Sequence, residues 1–232
     1  MFDVGYLIFV VAIPMAISGF ATLSVRGTFA RYEQVGTRRR ITGAQAAKLM
    51  LERQGVYDCH IEPIAGRLSD HYDPRTRTLR LSEPVFNSTS LSAVGVACHE
   101  AGHALQHAQA YPWLTMRSNL VPLTGFASQL SMPIIIGGMI LGMAHPLGRV
   151  AMLIGCGLLA VAFLFSVVTL PVEWDASARA KTAMVEAGIV DRDEIQGASA
   201  VLNAAFLTYL AAAISALITL LYYLMRSGLL RR

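Results

Sequence analysis

Four stretches of the chain carry no charged side chain, and polar segments separate them. They are Val4 to Val25, Leu120 to Ala144, Val150 to Val172 and Ala204 to Met225. At ~1.5 Å of rise per residue each is long enough, as a helix, to cross ~30 Å of hydrocarbon. The pattern predicts four membrane spans. Pro14 should bend the first, and Pro122 and Pro133 the second. Tyr111 and Trp113 stand just before the second span, where an aromatic belt belongs. The turn at His145 to Gly148 is too short for anything but an antiparallel pair of spans. Asp3 precedes the first span and no Lys or Arg does, the reverse of a signal peptide, so that span reads as an uncleaved anchor.

The polar segments have their own periodicities. Thr42 to Gln54 reads as a helix capped by Thr42 and ended by Gly55. Tyr57 to Ile64 and Thr78 to Leu81 read as short strands, and Asp73-Pro74-Arg75-Thr76 is a turn signal. Leu91 to Gln106 holds no proline and follows the cap-forming cluster Asn87 to Ser90, so it reads as one helix. Residues 173 to 203 are polar again and mostly helical.

Composition agrees with the pattern. Hydrophobic residues make up 54% and charged residues 15%, well below the ~25% charge of a soluble domain. The net charge of +4 is modest, and no basic groove-reading element suggests nucleic acid. Three cysteines without a C-x-x-C spacing give no disulfide framework. The basic residues are unevenly placed: 12 lie in 26–118 and 3 in 172–203, 15 of the 19 in all. By the positive-inside rule these two segments are cytoplasmic. Arg149, Arg226, Arg231 and Arg232 disagree.

The chemistry concentrates in His99-Glu100-Ala101-Gly102-His103. On a helix, positions four apart share a face, so His99 and His103 can offer two imidazoles to one zinc ion. Glu100 stands beside them, placed to move protons as a general base. Cys98 points elsewhere and reads as packing. A catalytic zinc ion needs three protein ligands and an open position. For the third ligand the sequence offers His60, His71, His107, Glu173 and Asp175. A straight helix carries His107 ~12 Å from His99, too far for one ion.

The chain resembles the bacterial membrane-bound neutral zinc metallopeptidase family (YugP-like) over nearly its whole length. The resemblance rests on Asp70 to Thr76, Thr78 to Ser82, His99 to His103, Leu170 to Ser177 and Val201 to Ala205. It implies a zinc endopeptidase acting on a peptide or protein substrate. More distantly the layout is similar to HtpX-type membrane metallopeptidases, where a glutamate in E-x-x-x-D on a later helix is the third ligand. Glu173 matches that glutamate, while Ser177 stands at the aspartate position. The span count agrees with the match. Two complete spans lie between His103 and Glu173, which returns the chain to the side it left. Glu173 is then expected to open a helix right after the third span, with Trp174 at headgroup depth.

The expected fold is mainly α. It is a polytopic membrane protein of about four transmembrane helices with a zincin-like α+β region, a small β-hairpin plus the H-E-x-x-H helix, on the cytoplasmic face of the inner membrane. The expected divisions are an anchor (1–25), a catalytic region (26–118), a transmembrane hairpin (119–172), a helical segment supplying Glu173 (173–203), and a fourth span with a basic tail (204–232). His71 and Arg179 are candidates for stabilising an oxyanion. The Thr78 to Leu81 strand could present its edge to an extended substrate. A non-catalytic zinc-stabilised scaffold is the alternative, and Glu100 beside His99 speaks against it. An intramembrane protease would want an acidic ligand within a span, and the last three spans contain none.

Overall fold

The computed structural model describes residues 3–228. In chain order they form α1 (Val4–Tyr6), a π-helical stretch (Leu7–Ala12), α2 (Ile13–Glu33) and α3 (Gly43–Arg53). The strands β1 (His60–Ile64), β2 (His71–Asp73) and β3 (Thr78–Ser82) follow, then α4 (Glu83–Phe86) and α5 (Leu91–Ala108). The chain closes with α6 (Pro112–Leu141), α7 (Pro146–Glu186) and α8 (Ile195–Arg226). Four helices are long and apolar enough to cross a membrane: Val4–Glu33, Pro112–Leu141, Pro146–Glu186 and Ile195–Arg226. The fold is thus mainly helical with one small sheet, as the polarity pattern implies.

Each of these helices extends past the apolar stretch that announced it at one end or both, although the second stops at Leu141, short of Ala144. The first continues to Glu33, and the third passes through Pro171 without a break to Glu186. A proline removes one N–H and crowds the carbonyl four residues earlier. Such a defect is tolerated in a long helix whose other bonds are intact. Glu173 therefore lies inside α7 and does not open a helix, a correction to the sequence reading. At the other end of the chain, the π-helical stretch ends two residues before Pro14 and contains Val10, whose carbonyl the proline ring would crowd in an α-helix. An i+5 turn there makes room for the ring.

The structure divides into two compact units. One comprises Met1–Ala21, Met116–Leu170 and Thr208–Arg232. Its core joins Ile135, Met152, Cys156, Leu220, Tyr222 and Tyr223. Gly155 is needed there, since a Cβ on it would stand 2.3 Å from Cγ1 of Ile135. Asp3 caps the first helix by accepting from the Tyr6 amide, and it also takes bonds from Tyr222 Oη (3.1 Å) and Arg226 Nη1 (2.7 Å).

The other unit comprises Thr22–Thr115 and Pro171–Leu207. The sheet order is β1-β3-β2, with β1 parallel and β2 antiparallel to β3. The expected hairpin is β2–β3, around the expected Asp73 turn, and its first strand is not among the expected strands because three residues show no period. One expectation needs correcting. The β3 strand is central, paired on both sides, so its edge is not free for a substrate. Asp73 accepts from the Arg75 amide, the Thr76 hydroxyl and Arg80, and these bonds hold its carboxyl down at about 2. In the core, α3 packs on α5 with Met50, Leu79 and Leu81 fully buried. Each such side chain contributes ~1.5–3 kcal/mol by leaving water. The Thr42–Gln45 capping box starts α3, and Gly55 at φ +77° follows it.

Candidate metal centre

The α5 helix starts where Ser90 accepts a hydrogen bond from the Ala93 amide. From Leu91 to Gln106 every side chain but Val96 and Glu100 is buried, because small residues let neighbours close in. The closest approach is at Gly102. A Cβ there would stand 2.5 Å from the Ala176 carbonyl oxygen on α7. On α7, the residues Val172, Glu173, Ala176, Ser177 and Ala180 are buried. This is helical spacing, and it aims Glu173 and Ser177 at α5 together.

Three of the expected residues meet. One ligand atom each from His99, His103 and Glu173 lies within 4.8 Å of the other two, all buried. Oε2 of Glu173 is 3.2 Å from Nε2 of His99 and 3.6 Å from Nε2 of His103. The two rings stand edge to face, 4.9 Å between centroids. Glu173 is 1% exposed, so its carboxylate has left water for this contact. Glu100 is half-buried on the adjoining face of the helix.

The far side of each ring is also held. Nδ1 of His103 is 3.0 Å from Oε1 of Gln106. The Gln106 amide is oriented by its own donations, to the Val172 carbonyl oxygen and to Oδ2 of Asp175, both at 2.8 Å. Both of those partners are acceptors only, so the oxygen of Gln106 must face His103. Nδ1 of His103 therefore carries the hydrogen. Nδ1 of His99 is 3.1 Å from Oγ of Ser177. The serine that stands at the resemblance's aspartate position thus lies beside the His99 ring.

With Nδ1 of His103 a donor, its Nε2 aims a lone pair at the Glu173 carboxylate. Those atoms repel unless a cation or a proton lies among them. Burial disfavours the charged form of His103, but the Glu173 carboxylate outweighs burial and raises the imidazole pKa. Two imidazole nitrogens and one carboxylate oxygen are the donor set of a three-ligand zinc site with one position open. The residues present fit that ion.

The other candidates lie elsewhere. His60 and His71 are exposed, and Nδ1 of His71 is 2.8 Å from the Ser69 carbonyl oxygen. Nδ1 of His107 is 2.8 Å from Oη of Tyr72. Asp175 accepts from Gln106 and from Arg179, whose other partners are Gln109 and the Tyr111 ring. Sequence reasoning missed Gln106 and had no partner in view for Ser177. A usable signal existed, for Gln106 is three residues past His103 and Ser177 four past Glu173, spacings that share a helix face.

A family model described as "Putative neutral zinc metallopeptidase" matches residues 6–228. The chain is 41% identical over 218 residues to "Putative membrane protease YugP" of Bacillus subtilis (strain 168). That match covers 94% of this chain and 95% of the relative. No solved structure gives a significant match.

Proposed function

The chain belongs to the neutral zinc metallopeptidase family, and from that premise we propose that it is a membrane-bound zinc endopeptidase. In this reading His99, His103 and Glu173 hold one zinc ion and Glu100 is the general base. The observation that carries it is the buried trio of facing donor atoms, with Gln106 directing the His103 lone pair inward. Zinc held there supplies Lewis acidity, lowering the pKa of a water toward ~7 and polarising a peptide carbonyl.

The chain's own residues do the rest. Glu100 takes a proton from the water as its oxygen bonds to the carbonyl carbon. It then delivers the proton to the amide nitrogen as the C–N bond breaks. Gln106 and Ser177 keep the rings from turning, so that Nε2 stays aimed at the ion. The apolar helices of the same chain make a peptide or protein at the bilayer surface the natural substrate.

The same reading sets the catalytic segments on the cytoplasmic side of the inner membrane. The excess of Lys and Arg in 26–118 and 172–203 supports this orientation. One dissenting charge, Arg226, is balanced by its bond to Asp3.

The test of mechanism is Glu100→Gln. The variant should keep one zinc per chain while peptide hydrolysis falls by ~10²–10⁴-fold, the usual loss for a general base. Zinc content and turnover are measured on the same purified sample. Undiminished turnover would remove Glu100 from the mechanism.

A further inference from the structure

A second site lies on α7 behind the metal centre. Its cavity, about 290 Å³, is lined by Trp174, Ser177, Lys181, Thr182, Asn203 and Phe206 among others. The Lys181 ammonium is half-buried and donates to Oδ1 of Asn203 at 2.7 Å. With its oxygen engaged, the Asn203 amide still has two N–H groups to give. Lys181 keeps two more donors, and the Thr182 hydroxyl adds another. Among the described residues, no carboxylate lines the cavity. Its polar side is therefore built for an anion. Its other side is apolar, with the Trp174 and Phe206 rings edge to face at 5.3 Å.

The place in the chain says what kind of anion. Trp174 follows the uncharged stretch Val150 to Val172 by two residues, and Asn203 precedes the uncharged stretch Ala204 to Met225 by one. The ends of two uncharged stretches thus meet at this cavity, and Trp174, 62% exposed there, is the residue type that favours headgroup depth. The cavity touches Ser177 on the Nδ1 side of His99, whereas the scissile bond must reach the Nε2 side, so the bond being cut does not lie in this cavity. We propose that the groove between Lys181 and Asn203 binds the phosphate of an anionic phospholipid, with the acyl chains against Trp174 and Phe206. A lipid seated there would also pack against Ser177, the residue that holds His99.

The chain has two tryptophans, so Trp113→Phe leaves Trp174 as the sole reporter. The full-length protein with that change is reconstituted in phosphatidylcholine vesicles. Brominated phosphatidylglycerol or brominated phosphatidylcholine is then titrated in. Trp174 fluorescence should be half-quenched at a mole fraction about five-fold lower for the anionic lipid, the worth of one lysine near a lipid phosphate. Lys181→Gln should bring the two curves together. Lys181→Arg, and Lys48→Gln on α3, outside the lining of this cavity, should keep them apart. Millimolar inorganic phosphate should not relieve the quenching. Equal quenching by both lipids, or an unchanged preference in Lys181→Gln, overturns the proposal. Relief by inorganic phosphate also overturns it, since the site would then take free phosphate. Neither zinc nor turnover is read, so failure here leaves the peptidase reading standing.

Discussion

Gln106 holds its side-chain oxygen 3.0 Å from Nδ1 of His103, three residues earlier on the same helix. The contact is local, yet the Gln106 amide is oriented by Val172 and Asp175, some seventy residues away. One fully buried amide therefore ties the tautomer of a histidine to the docking of α7 against α5. Removing it should loosen the metal without touching a donor atom.

We expect Gln106→Leu to lower zinc affinity by ~10–100-fold, the range for partners that orient a metal's histidines. Competition with a chelator measures it, alongside circular dichroism to show that the helices persist. Zinc affinity equal to the unmutated protein would mean that His103 needs no such partner.

Glu173→Ala should abolish tight zinc binding, because two histidines alone leave the ion underligated. His107→Ala should bind zinc as the unmutated protein does, since its ring is engaged with Tyr72. The assignment fails if the order of the two variants is reversed.

Gly102→Ala probes the packing that brings the donors together. The added Cβ would meet the Ala176 carbonyl oxygen at 2.5 Å, against rigid backbone. Overpacking of this kind costs ~1–3 kcal/mol. Separating α5 from α7 also pulls Glu173 from the histidines. The variant should melt at lower temperature and hold less zinc. Unchanged values for both would refute the close contact.

Orientation can be read directly. Val35 and Glu186 are exposed in the same unit as the metal centre. Cysteines introduced at either position should resist a membrane-impermeant maleimide in intact cells and react after permeabilisation. Labelling from outside at either one would falsify the cytoplasmic placement.

The sequence alone determined much that is local. The cap within Asn87 to Ser90, the Thr42 cap, the turn at Asp73 and the four uncharged stretches depend on residues a few positions apart, and each lies where its signal is. The i, i+4 spacing of His99 and His103 likewise needs only helix geometry. Tertiary structure decided the rest. A strand of three residues, β2, has no period to read, and the parallel pairing of β1 with β3 is a choice among partners that no local pattern encodes. The length of α7 was hidden because Pro171 and the first charges looked like an end, while packing of its small-residue face carries the helix on to Glu186. Span counting could say that Glu173 returns to the side of His103, but not how near. That distance is set by Gly102 lying against Ala176, a contact between backbones 74 residues apart, and the Ser177 and Gln106 bonds form only once that contact is made.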